Sequence, residues 1–284
     1  LTVHLVDGAT GAYNIPTTMW LHGPLVVDAL RGALAAIVDR HAVLRTTFEV
    51  DEIGADGGFA QRVGKELGTE KLLREVASAD SGAAEAVVAA DASTGFELFA
   101  DGVLRIVLVR VENEQQLLLI NVHHVAFDGV SRGVLLGELG ALYAALSTGA
   151  AVEHVALPEF AVQYVDYALW QRSALAHVLG VYQDYWREHL HEGALPVLEL
   201  PLDFARPAMQ TFNGDATSLT IAFNVTKRLE HLARSHGATL FQLALVLWAV
   251  LLCRHAGQEE VVVGSPYHGR DAAGTETLIG YFVN

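Results

Sequence analysis

The sequence is short of several things. Its 284 residues hold one cysteine, two methionines and seven prolines. A single cysteine excludes an internal disulfide framework and any metal site built from several thiolates. Positive charge is scarce: 18 Lys and Arg face 33 Asp and Glu, a formal net charge of −15. No run of cations interrupts that balance, so a phosphate backbone or an anionic lipid surface is repelled. Neither nucleic acid nor a membrane is expected as a partner. Long apolar runs are missing too. The longest, Leu240–Cys253, falls short of the ~20 residues that cross a bilayer. Being apolar nearly all round, it reads as a helix buried inside a large domain, with Cys253 a small buried hydrophobe. No phosphate-binding glycine loop, GxSxG elbow, zinc spacing or fixed-period repeat occurs. The chain opens on Leu1 with no basic-plus-apolar leader, and reads as a piece of a longer, cytoplasmic protein.

What is present is apolar surface. Hydrophobic residues make up 52% and charged residues 18%, enough to bury a core and to exclude a disordered chain. After the Gly23-Pro24 turn, Leu30, Leu34, Ile37, Val38 and His41 fall at helical spacing, with Asp28 as N-cap. Leu44–Val50 switches to β-branched and aromatic residues and reads as a strand. The acidic, glycine-rich Asp51–Gly58 is a turn, and Gly64–Leu98 is helical or mixed. Leu104–Glu112 and Gln116–His124 are two strands joined by a short polar link, hence a hairpin. Ser131–Leu146 is a helix with Val134, Leu135, Leu139, Leu142 and Tyr143 on one face. Phe160–Leu179 is another, and its Tyr164, Tyr167 and Trp170 are spaced to pack a core. A strand at Ser218–Phe223, a helix at Val225–Ser235, the apolar helix and a strand at Val261–Gly264 follow. This order favours a mixed α/β chain in two lobes over a strict βαβ fold.

The most informative stretch is His123-His124-Val125-Ala126-Phe127-Asp128-Gly129, where an apolar strand gives way to a loop and then a helix. Neighbouring side chains on a strand point to opposite faces, so two adjacent histidines do not converge on one metal ion. On spacing alone the pair reads first as two half-buried histidines ending a strand. The alternative is one histidine doing chemistry while the other packs behind it. Asp128 can fold back to anchor the loop or meet a cation, and Gly129 permits a tight path into the helix. Arg270 is a cation close in sequence to a buried-looking strand.

These residues resemble the condensation domain of nonribosomal peptide synthetases. His123–Gly129 matches that family's HHxxxDG motif, Arg40–Phe48 its RHxxLRTxF segment, Tyr164–Trp170 YxDxAxW, and Ile279–Asn284 IGxFVN. Four motifs in order are far more specific than any one. The resemblance implies a two-lobed chloramphenicol acetyltransferase-like α/β fold, V-shaped around a central tunnel. Residues 1–175 would form the N-terminal lobe and 176–284 a C-terminal lobe incomplete in this chain. The family's opening motif would precede Ala12–Pro16, and later strands would follow Asn284.

The resemblance also implies a reaction: the amine of an acceptor aminoacyl thioester attacks a donor acyl or peptidyl thioester, and an amide forms. Donor and acceptor peptidyl carrier proteins deliver both substrates on phosphopantetheine arms, next to an adenylation domain. The domain itself binds no cofactor or metal. His124 would be catalytic, with His123, Asp128, Gly129 and Arg270 supporting the site and Asp128 pairing with Arg270. Imidazole, with a reference pKa of about 6.5, can accept a proton; an α-amino group, at about 7.7–8.0, is itself partly neutral. His124 therefore acts either as the base or as a group that orients the amine. Three classes stay in play: this condensation enzyme, an acyltransferase using a free CoA thioester, and a non-catalytic docking or gating module. The Asp128–Ser131 continuation fits condensation better than epimerisation; an L-configured donor is expected.

Overall fold

A computed structural model describes residues 10–50, 58–64, 72–112, 115–190, 195–208, 211 and 214–284. Its elements are β1 (Asn14–His22), α1 (Val27–Arg40), β2 (Thr46–Val50), β3 (Phe59–Val63), β4 (Leu73–Ala77) and α2 (Ser81–Ser93). They continue with β5 (Leu104–Val111), β6 (Gln115–His123), α3 (Gly129–Ser147), α4 (Tyr164–His189), α5 (Phe223–Ser235) and α6 (Leu240–Ala256). By compactness the chain divides into residues 1–176 with 266–284, and residues 177–265.

The first unit is built on a sheet in the order β1-β6-β5-β4, antiparallel except for the β4–β5 pair. The β5–β6 hairpin expected from sequence lies at its centre, and alternation along β6 explains both faces. Leu118, Ile120 and Val122 point into a core shared with Leu30, Leu34 and Ile37 of α1 and Leu135, Leu139 and Leu142 of α3. Leu117 and Leu119 point the other way, with Val107 and Val109, against Ala84 and Val88 of α2. The sheet is therefore covered on both sides, which is why β6 reads as a nearly continuous apolar run. The strands β2 and β3 form a separate pair.

Several expectations are corrected. Asp28 does not cap α1; the cap position is Val26, which makes no side-chain cap bond, and Asp28 sits in the first turn, where its charge suits the helix dipole. Gly64–Leu98 needs no correction: read as helical or mixed, it is mixed in its described part, with β4 and α2. Most of the Asp51–Gly58 turn, and Asn113-Glu114 of the hairpin link, lie outside the described residues. Tyr167 is buried, but Trp170 is 56% exposed. The segment 266–284, assigned from sequence to the second lobe, packs into the first unit through the contacts described below.

The second unit departs most. Ser218–Phe223 and Val261–Gly264, strand-like in composition, carry no β-ladder, and Phe223 already belongs to α5. A strand exists only against a partner, and no strand is assigned among the described residues of 177–265. Among the described residues α6 has no buried residue, contrary to the buried helix expected, and Cys253 is half-buried. The helix is nonetheless well terminated. Thr239 and Gln242 form a capping box, and Gly257 closes it at φ 67°. No single described helix is long and apolar enough to cross a membrane.

Candidate active site

β6 ends at His123, and His124–Ala126 form a single 3₁₀ turn before α3. The two histidines part company at this strand end, so the turn, rather than strand alternation, separates their side chains. His123 is 7% exposed, its ring near Tyr13 and edge-on to Phe96. Its Nδ1 receives the Val125 N–H at 3.1 Å and the His123 backbone N–H donates to the Val103 carbonyl, which fixes the strand end. His124 is half-buried. Its Nδ1 lies 2.7 Å from the Phe127 carbonyl oxygen. A carbonyl can only accept, so Nδ1 carries the proton, and in the neutral ring Nε2 keeps a lone pair. The ring stands edge-to-face with Tyr281, centroids 5.1 Å apart at 85°.

Asp128 does a different job. It is fully buried and is the N-cap of α3, accepting the Ser131 N–H at 2.8 Å. Both its oxygens receive Arg270 Nη2, at 2.9 and 3.1 Å, and Oδ2 also receives the Phe282 N–H at 3.2 Å. Arg270 turns Nη1 to the carbonyls of Thr275 and Leu278, at 2.6 and 2.8 Å, and lies over the Phe282 ring. Ser131 Oγ receives Gly280 N–H and Arg270 Nη2, each at 3.0 Å. Its one proton goes to Asp128 Oδ1 or the Gly280 carbonyl, at 2.8 and 3.0 Å. A buried charge survives only when paired and bonded; here the carboxylate and both terminal guanidinium nitrogens are, while the buried Arg270 Nε has no hydrogen-bond partner among the described residues.

Two glycines make this joint close. Gly269 has φ +63°, and a Cβ there would sit 1.9 Å from the Phe282 carbonyl oxygen. A Cβ on Gly280 would sit 2.2 Å from Tyr164 Cδ2. Gly129, by contrast, is exposed, with open space where a Cβ would stand. It leaves the start of α3 approachable beside His124.

The structure thus brings His124, Asp128, Gly129 and Arg270 into one neighbourhood, with His123 behind. Sequence reasoning missed four contributors. Ser131 bridges to Gly280 across 149 residues, a contact that no local spacing announces. Tyr164 donates its hydroxyl to the Tyr281 carbonyl at 2.8 Å, and its phenol is pushed up to about 12 by burial, then by Tyr167, Asp128 and Tyr281. Glu138 receives Arg40 Nε at 3.0 Å and lies 2.8 Å from His41 Nε2, while His41 Nδ1 receives the Ile279 N–H at 3.3 Å. Burial pushes the Glu138 carboxyl up, but the bonds from His41 and Arg40 outweigh it and hold it below the ordinary range. Tyr281 is the fourth. The Arg40-His41 and Ile279–Asn284 motifs carried that signal without saying that the two would meet.

With this geometry in place, comparison with known proteins decides the family. The condensation-domain family matches residues 1–284. The chain belongs to that family. It is 39% identical to part of a linear gramicidin synthase chain of Brevibacillus parabrevis over 273 residues, 96% of this chain but 5% of that protein. It is 38% identical to part of a plipastatin synthase chain of Bacillus subtilis (strain 168) over 281 residues, 99% of this chain and 10% of that one. Among solved structures, the X-domain complex with OxyB from teicoplanin biosynthesis superposes with a TM-score of 0.82 at 28% identity. The match covers 95% of this chain and 58% of that one. The first condensation domain of the calcium-dependent antibiotic synthetase, in complex with a substrate analogue, gives 0.77 at 23% identity, covering 100% and 65%. The fold is the chloramphenicol acetyltransferase-like α/β fold of condensation domains, of which this chain spans about three-fifths.

Proposed function

We propose that this chain carries the catalytic histidine of an amide-forming condensation domain, His124, acting on a donor acyl thioester and an acceptor aminoacyl thioester held by carrier proteins. The observation that carries the reading is the bonding of His124. With Nδ1 spent on the Phe127 carbonyl, Nε2 is the nitrogen left for substrate, in the tautomer that accepts a proton. The acceptor nitrogen attacks the thioester carbonyl carbon, and a C–N bond forms as the carbonyl electrons move to oxygen. Nε2 takes the proton that the nitrogen must lose. Collapse of the tetrahedral species breaks the C–S bond, and the departing thiolate is protonated from the imidazolium. The proton thus returns, and His124 is unchanged. Because an α-amine near 7.7–8.0 is partly neutral beforehand, His124 works at the attack rather than before it. The backbone N–H of Gly129, the first residue of α3, is the donor we assign to the developing oxyanion.

Asp128 and Arg270 support this site without touching substrate, and His123 fixes the strand from which His124 departs. Partners on this reading are two carrier proteins and a neighbouring adenylation domain, since the relatives among gramicidin and plipastatin synthases are far longer than this chain.

The test is reconstitution of the intact domain with two loaded carrier proteins. Amide formation that falls ~10²–10⁴-fold in His124→Ala, with carrier loading unchanged, supports the reading. Equal or faster turnover of free CoA thioesters moves the assignment to a CoA-dependent acyltransferase. The likeness to an X-domain solved with OxyB favours one second reading, a docking module that binds a protein partner. A wild-type domain that joins no loaded pair yet binds a protein partner would decide for it, whereas amide formation insensitive to His124→Ala would remove His124 from the chemistry.

A further inference from the structure

In the closing segment, Ile279 and Phe282 are buried at 1% and 2% exposure, while Tyr281 between them keeps 42% of its surface. Its ring joins none of the hydrophobic clusters formed by the described residues. A tyrosine that is not needed for packing is still held with unusual care. Its carbonyl accepts from Tyr164 at 2.8 Å. Gly280 before it is bonded through both N–H and carbonyl to Ser131 Oγ at 3.0 Å, and Phe282 after it donates to Asp128 at 3.2 Å. The ring therefore leaves a fixed backbone and has two side-chain torsions with which to move. It stands across the imidazole of His124, centroids 5.1 Å apart.

We propose that Tyr281 is a specificity-determining residue that limits the size of the acceptor side chain admitted at His124. The inference rests on the amide-forming reading above. An amine bonded to Nε2 sits about 3 Å from it, and its α-carbon lies one bond of about 1.46 Å further on. We place the substituent on that carbon in the space that the Tyr281 ring borders, on the acceptor's side of the new bond. Tyr281 thus discriminates among acceptors by contact and bulk, as an apolar wall does. One methylene against such a wall changes discrimination roughly 10–200-fold.

The test uses the intact domain with wild-type donor and two acceptors on the same carrier, alanyl and phenylalanyl. In Tyr281→Ala the ratio of kcat/KM, phenylalanyl over alanyl, should rise at least ~10-fold, with the preference between two donors unchanged. Tyr281→Phe keeps the ring and should keep the wild-type ratio. If Tyr281→Ala melts at the assay temperature, Tyr281→Leu carries the same expected sign. An unchanged acceptor ratio, an equal loss for both acceptors, or a shift in donor preference instead overturns the inference while amide formation stands. A wild-type domain that joins no pair overturns the reading and this inference with it.

Discussion

Asp128 and His124 stand in one loop, four residues apart, and their surroundings are opposite. Asp128 is sealed: it is fully buried, with bonds from Ser131, Arg270 and Phe282. His124 is half-buried, with one nitrogen spent and one left over, beside a half-exposed tyrosine. Neither position should tolerate substitution, yet the physical reasons differ. A saturated, buried carboxylate contributes to stability and offers nothing to a substrate. A half-open imidazole contributes little to stability and keeps its capacity for chemistry. On the function proposed above, the contrast gives structure to the aspartate and chemistry to the histidine.

The sharpest way to break that contrast is to exchange the effects. In the intact domain, His124→Ala should lower the rate of amide formation ~10²–10⁴-fold while leaving the melting temperature within a few degrees of wild type. Near-full activity would remove the histidine from the chemistry. The mirror experiment is Asp128→Asn, which keeps a capping oxygen and removes the charge facing Arg270. Losing one member of a buried pair typically costs about 3–5 kcal/mol. Denaturant unfolding should show a loss of that order in Asp128→Asn, and a similar one in Arg270→Met. Unchanged midpoints in both would overturn the structural role of Asp128.

How much of this was legible in the sequence depends on distance along the chain. The β5–β6 hairpin and α3 are local patterns, and apolar periodicity located both within a few residues. The Asp128–Arg270 pair joins residues 142 apart, and only the motif resemblance put them side by side. Ser131 with Gly280 left no trace in any window, because a hydroxyl is equally at home in solvent, and His41 with Ile279, at a separation of 238, showed only as two motifs that nothing joined. The strand readings at Ser218–Phe223 and Val261–Gly264 failed for the complementary reason. β-branched composition records a preference for a pleated surface, but a ladder needs a second strand. The apolar α6 was expected to be buried on its composition, and none of its residues is buried against the described residues.

A smaller effect sharpens the comparison at the edge of the sealed region. Glu138 ties Arg40 and His41 to α3, and through His41 to the Ile279 N–H. Its folded pKa is depressed, so its contribution is fully present above the unfolded carboxyl value and is lost as pH falls through the folded value. Wild-type stability should therefore decline on acidification below about pH 4.3, the ordinary glutamate value. Glu138→Gln should be less stable than wild type at pH 7 and show a shallower acid decline. Parallel acid limbs in the two proteins would show that Glu138 carries no linked stability.

The smallest expected effect belongs to Tyr164, whose hydroxyl holds the carbonyl of Tyr281. Burial, followed by neighbouring Tyr167, Asp128 and Tyr281, raises its phenol pKa from 10.0 to about 12. A raised folded pKa means that the folded chain holds this proton more tightly than the unfolded chain does. The associated stability is complete below pH 10 and is lost as pH rises from 10 towards 12. Over that window the ionised phenolate could no longer donate to the carbonyl. Tyr164→Phe should cost about 0.5–1.5 kcal/mol at pH 7, the usual net value of one hydrogen bond. Since Phe has no proton to lose, the gap between variant and wild type should narrow as pH climbs through that range. Tyr167 and Tyr267, whose phenols are also raised, titrate in both proteins, so the difference between them isolates Tyr164. A gap that stays constant from pH 7 to 12 would show that the Tyr164 hydroxyl does not anchor Tyr281. The ring beside His124 would then be held by Ser131 and Asp128 alone.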